Sequence, residues 1–103
     1  MRKTVKITVE ERVKKALEKA AKDLGFQSAA ALVKALVIAP EAHCRAVHSR
    51  IEGVKGGREV SLILTFTQEE KERLEERVKK LGFQSVGNYA RALLKEKSYC
   101  GEK

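Results

Sequence analysis

The chain lacks the features that mark several function classes. It holds two cysteines, Cys44 and Cys100, which are too few and too far apart for a disulfide framework and match no zinc-type spacing. They read as reduced thiols in a cytoplasm. The most apolar stretch, Ala29 to Pro40, is interrupted by Lys34 and falls well short of the roughly 20 residues a membrane span needs. The amino terminus has no signal-peptide core, so no leader is expected. No nucleophile, base and orienter form a set, and catalysis is not expected. Gly53, Gly56 and Gly57 lack the Lys-Ser or Lys-Thr of a phosphate loop and lead into a strand pattern, so they read as a joint. His43, Cys44 and His48 lie close together, but positions 44 and 48 supply only two converging ligands and read as solvated linker residues. Neither a metal nor a cofactor is expected.

Positive charge, by contrast, is abundant. Lysine and arginine number 22 against 14 acidic residues, a net charge of +8, which favours a polyanionic partner. The excess is uneven: residues 1–39 hold nine basic and four acidic groups, residues 40–57 three and two, and residues 58–103 ten and eight. The amino-terminal part should therefore dominate any attraction to nucleic acid.

The organising feature is a repeat. Leu24-Gly25-Phe26-Gln27-Ser28 returns as Leu81-Gly82-Phe83-Gln84-Ser85 at an offset of 57 residues. The same offset aligns Leu17 with Leu74, Ala21 with Val78, Lys22 with Lys79, Lys34 with Arg91 and Leu36 with Leu93. Within each copy the Gly closes one helical pattern and the Ser opens the next. Upstream, Thr4 to Val9 and Val60 to Phe66 alternate polar and apolar residues, the period of a half-buried strand. Val13, Ala16, Leu17, Ala20, Ala21 and Leu24 then recur at helical spacing, and Ala29 to Ile38 is apolar enough for a helix buried on most sides. In the second copy Thr67 and Glu70 have capping-box spacing, and Arg73 and Arg77 replace Ala16 and Ala20, so that apolar stripe is narrower. The Glu69 to Arg77 charges read as a solvated helix face with internal pairs. Pro40 stops or kinks the second helix, and a short helix over Glu41 to Ile51 is predicted, with Cys44, Val47 and Ile51 on one side.

The expected organisation is a first strand-helix-helix repeat at 1–39, a linker at 40–57, a second repeat at 58–97 and a tail at 98–103. About 40 residues rarely hold a core alone, so the two repeats should share one. Each repeat also has a lone strand that needs a partner. The simplest closed arrangement is mainly α with a two-stranded antiparallel ribbon, Thr4 to Val9 against Ser61 to Phe66, over the helices. The linker is long enough to permit it.

This pattern resembles the ribbon-helix-helix family of DNA-binding proteins, present as two tandem copies forming an intramolecular pseudo-dimer. The match covers Thr4 to Val13 with Leu24 to Ser28, and Ser61 to Glu70 with Leu81 to Ser85. The resemblance implies a ribbon in the major groove, with Thr4, Lys6, Thr8, Ser61, Ile63 and Thr65 facing the bases. It implies phosphate contacts from Arg2, Lys3, Ser28, Ala29, Ser85 and Val86, the last four at the starts of the second helices. The chemistry is compatible: Lys can donate to guanine, Thr and Ser can donate or accept at either base, and Ile can rest on a thymine methyl. Free N–H groups at a helix start suit a phosphate oxygen. The two strands differ, so the preferred site need not be palindromic.

Plainer roles stand beside these. Lys6 could discourage edge pairing, Ile63 could touch the linker or another molecule, and Ser28 and Ser85 would be N-caps in any protein. The expected function is a sequence-specific regulator of transcription, a repressor, acting on double-stranded DNA in the cytoplasm at the nucleoid. It would be a monomer or weak homodimer, with cooperative assembly on DNA open. A plasmid-transfer accessory protein or an antitoxin would use the same fold. A helical protein-interaction module is the alternative of a different class. Helix-turn-helix reading is disfavoured because Ala29 to Ile38 offers only Lys34 to the bases.

Overall fold

The computed structural model describes residues 2–96 and residue 99; the rest of the expected tail lies outside the described residues. The order of elements is β1 (Arg2–Glu10), α1 (Glu11–Leu24), α2 (Ala29–Ile38), α3 (Pro40–Ile51), β2 (Glu59–Thr67), α4 (Gln68–Lys80) and α5 (Val86–Lys95). β1 and β2 form a two-stranded antiparallel sheet with Arg2 opposite Thr67, Lys6 opposite Ile63 and Glu10 opposite Glu59. Both strands run slightly longer than the alternating sequence pattern, because the charged and threonine residues at their ends still pair through the backbone.

The alternation decides what the ribbon covers. Ile7, Leu62, Leu64 and Phe66 are buried on its inner side. They join Leu17, Leu32, Leu36 and Val47 from the first three helices and Leu74, Val78, Tyr89 and Leu93 from the last two in one apolar cluster. No helix among the described residues is long and apolar enough to cross a membrane.

The repeated Leu-Gly-Phe-Gln-Ser has the same geometry in both copies. Gly25 and Gly82 take φ of 87° and 89°, a left-handed conformation that only glycine adopts without a Cβ penalty. The next amide reaches back to close the helix, Phe26 N donating to the Ala21 carbonyl at 2.7 Å and Phe83 N to the Val78 carbonyl at 3.0 Å.

The two first helices start differently. Thr67 and Glu70 form the reciprocal capping box, Glu70 N donating to Thr67 Oγ1 at 3.1 Å and Thr67 N to Glu70 Oε1 at 2.9 Å. Glu10, at the corresponding position of the first copy, makes no such cap. There the glycine joint does the work: Glu11 N donates to the Arg58 carbonyl at 2.8 Å and Arg12 N to the Gly56 carbonyl at 3.1 Å. Glu10 Oε1 accepts from Gly56 N at 2.9 Å. The joint is thus tied to the start of α1.

α3 begins at Pro40, one residue earlier than the pattern suggested, because proline's fixed φ and missing N–H suit the first helical position. It also overturns two readings. His48, expected in solvent, is 9% exposed, and its Nε2 lies 2.6 Å from the Leu93 carbonyl of α5. Cys44, expected as a reduced thiol, is buried and disulfide-bonded; Cys100 lies outside the described residues. His43 packs edge-on against Phe26, with ring centroids 5.6 Å apart. The predicted side of Cys44, Val47 and Ile51 does face the core, and the residues read as solvated, Cys44 and His48, are buried with it.

Arg77 is a further correction to the view of α4 as a solvated charged face. It donates to the Val37 and Ile38 carbonyls at the end of α2 and lies over the Tyr89 ring. The expected internal pairs do form: Lys71 with Glu75 at 3.3 Å and Arg73 with Glu69 at 3.9 Å. Glu70 instead pairs across to Lys34 of α2 at 3.4 Å.

The capping box gives a pH signature. The hydrogen bond from Thr67 N–H, aided by the Lys34 charge and opposed by burial, holds the Glu70 carboxyl below its ordinary value. A depressed folded-state pKa contributes stability above the unfolded carboxylate range and loses it as pH falls through the folded value. Thr67→Ala should cost about 1 kcal/mol at neutral pH. The gap between wild type and Glu70→Gln in urea midpoint should narrow on acidification; a gap independent of pH would show that the carboxylate charge does not contribute.

Candidate nucleic-acid interface

Strand pairing gathers the six base-facing candidates on one surface. In the antiparallel register Thr4 lies opposite Thr65, Lys6 opposite Ile63 and Thr8 opposite Ser61, and directly opposed residues point to the same face. Thr4, Lys6, Ser61 and Ile63 are exposed, while Thr8 and Thr65 are half-buried. Ile63 is 50% exposed although its neighbours Leu62 and Leu64 are buried. The central pair of the outer face is therefore one long cation beside one large apolar side chain.

The candidate phosphate residues divide by position. Lys3 is exposed but falls on the opposite alternation from Thr4 and Lys6, across from the buried Phe66. Arg2 is placed by backbone register opposite Thr67 at the end of the ribbon. Ser28, Ala29, Ser85 and Val86 sit at the starts of α2 and α5. Ser28 Oγ accepts from Ala31 N and Ser85 Oγ from Asn88 N, both at 3.1 Å, so the N-cap role of each serine is real. Helix geometry leaves the first amides after each serine, those of Ala29 and Ala30 and of Val86 and Gly87, without intrahelical acceptors.

Both helix starts lie beside lysines that the motif reading passed over. At α5, a hollow is lined by Thr4, Lys6, Lys71, Lys79, Ser85 and Gly87, with Glu75, the partner of Lys71, among them. Gly87 brings the helix close to the ribbon: a Cβ there would stand 3.6 Å from the Lys6 carbonyl oxygen. At α2, the corresponding hollow is lined by Lys15, Lys19, Lys22, Gln27, Ser28 and Ala29, with Glu18 among them. The offset of 57 residues pairs Lys22 with Lys79 but sets Glu72 and Glu76 against Lys15 and Lys19. The two hollows nevertheless carry the same balance, three lysines to one glutamate, since Lys6 and Lys71 join Lys79 in lining the second. The signal was present in the sequence: Lys15, Lys19 and Lys22 recur at helical spacing opposite the apolar stripe of α1.

What this surface offers chemically is a narrow ribbon with donors and one apolar tip, with the free amides of the α5 start beside it and a second set at the start of α2, each flanked by ammonium groups. Among the described residues no group of three or more His, Cys, Asp or Glu side chains could hold a metal ion. No family model, curated protein or solved structure matches the chain.

The two serines carry a stability role separable from any ligand. Ser28→Ala and Ser85→Ala should each lower unfolding free energy by about 1 kcal/mol, whereas Lys6→Ala, on an exposed strand position, should stay within about 0.5 kcal/mol of wild type. Urea denaturation of the three variants checks both statements.

Proposed function

We propose that the chain is a sequence-specific double-stranded DNA-binding regulator, a repressor in its simplest form, with two ribbon-helix-helix units in one chain. The observation that carries the reading is the convergence of six outward side chains on one ribbon face with the start of α5 beside it. A two-stranded ribbon fits the major groove. In this reading Lys6 donates to guanine, Thr4, Thr8, Ser61 and Thr65 supply shorter polar contacts, and Ile63 meets a thymine methyl. The amides after Ser28 and Ser85 receive backbone phosphates, assisted by Lys15, Lys19 and Lys22 on one side and Lys71 and Lys79 on the other.

The unlike strands give the reading a direction. Lys6 and Ile63 face each other across the ribbon, so one half of the bound site is read by a cation and the other by an apolar group. The site is therefore asymmetric. A plasmid-transfer accessory role and an antitoxin role would use the same contacts and differ only in where the site lies.

Selection from random duplexes at two salt concentrations tests this directly. One enriched, non-palindromic sequence is expected, with affinity that falls as salt rises by close to one logarithmic unit per tenfold salt for each phosphate neutralised, about −0.9. Lys6→Ala should weaken the selected site by about tenfold, within the 1–3 kcal/mol of one good base contact, and should leave binding to random DNA nearly unchanged. Lys15→Ala with Lys19→Ala should instead weaken all duplexes alike and flatten the salt slope. Absence of any enriched sequence would favour the protein-interaction alternative.

A further inference from the structure

One divergence between the repeats leaves a cavity. The 57-residue offset carries Phe66 onto Val9, Glu70 onto Val13 and Lys34 onto Arg91. In one half these positions form a closed set: Lys34 Nζ stands 5.7 Å from the centre of the Phe66 ring and 3.4 Å from Glu70 Oε1. In the other half the same three positions, now Val9, Val13 and Arg91, line an open cavity of about 600 Å³. Replacing an aromatic ring and a carboxylate by two valines removes volume and negative charge together, while the cation remains.

The cavity lies between the end of β1, the end of α3 and the last turn of α5. Ile51 and Leu94 contribute apolar surface, and His48 stands on its wall. Arg91 is half-buried and has no hydrogen bond, ion pair or ring contact among the described residues. His48 Nε2 is committed to the Leu93 carbonyl as donor, which leaves its Nδ1 as an acceptor in the neutral ring. The volume lies within the range of about 300–1,000 Å³ typical of small-molecule sites, and the lining mixes apolar side chains with polar and charged ones.

We infer that this cavity binds a small aromatic carboxylate, whose ring takes the place that Phe66 fills in the other half and whose carboxylate pairs with Arg91 as Glu70 pairs with Lys34. A planar guanidinium suits both tasks, since it stacks on rings and binds carboxylates through two parallel N–H groups. Glu52, Glu59 and Glu96 also border the cavity, but all three are exposed, where water and salt screen them. Glu10 is engaged by Gly56 N. The half-buried Arg91 therefore sets the preference for an anion. The inference concerns the cavity alone and holds whether or not the ribbon reads DNA.

The probe is 3-phenylpropionate, with 3-phenylpropionamide as its uncharged counterpart, titrated into the isotopically labelled full chain and followed by amide chemical shifts. Saturable shifts are expected around Val9, Val13, Ile51 and Leu94 for the acid, with the amide at least tenfold weaker. Arg91→Gln should weaken the acid by at least tenfold. Val9→Phe combined with Val13→Glu rebuilds the ring and carboxylate of the other half; it should abolish binding while the melting temperature is maintained or raised, which separates a filled site from a damaged fold. Absence of saturable shifts at millimolar acid, equal binding of acid and amide, or undiminished binding by the rebuilt double variant would each overturn the inference.

Discussion

The fold depends on a single pairing between strands that are distant in sequence. Among the described residues β1 and β2 each have one strand neighbour, the other, and each would otherwise expose a full row of unpaired amides and carbonyls. Their inner side chains are also the roof of the apolar cluster. Backbone pairing and core burial are thus one event: Ile7, Leu62 and Leu64 cannot be covered unless the register that sets Lys6 opposite Ile63 is formed. A slip of one residue would turn the whole apolar set outward, so the core itself fixes which side chains face away from it.

Below that roof the two halves answer the same requirements with different parts. The start of α4 is capped by its own Thr67 and Glu70, whereas the start of α1 is held by carbonyls from the joint that precedes β2. The end of α2 receives Arg77 on its last carbonyls. Lys34 finds both a ring and a carboxylate, while Arg91 at the matching place finds neither among the described residues. The two halves share one sequence framework, and α3 packs against α1 and α2 of the first and α5 of the second. The divergence lies in side chains that bridge between elements; the helix signals of Gly25 and Gly82, and of Ser28 and Ser85, are the same in each copy.

Much of this was legible in the residues because it rests on local rules. The repeated Gly and Ser mark helix ends by backbone chemistry alone, strand alternation separates the inner from the outer face, and Thr67 with Glu70 declares its cap by spacing. What escaped the sequence was set by tertiary contact. Arg77 looked solvated because nothing nearby in sequence shows that the α2 carbonyls lie within its reach. His48 looked like a linker residue because its partner, the Leu93 carbonyl, is 45 residues away. Cys44 offered no spacing from which its bonded state could be read. The outer ribbon face was legible residue by residue, but the lysines beside the helix starts became part of it only when α1 and α4 were placed.

That β1 and β2 belong to one polypeptide alters the thermodynamics of the pairing. Two separate chains closing such a ribbon would do so as a second-order event, with stability that drains away on dilution. Here the strands are joined through α3 and the glycine joint, so closure is unimolecular and each strand meets the other at an effective concentration set by the tether. A ribbon closed within one chain does not come apart on dilution, and its two unlike strands always occur in a ratio of one to one.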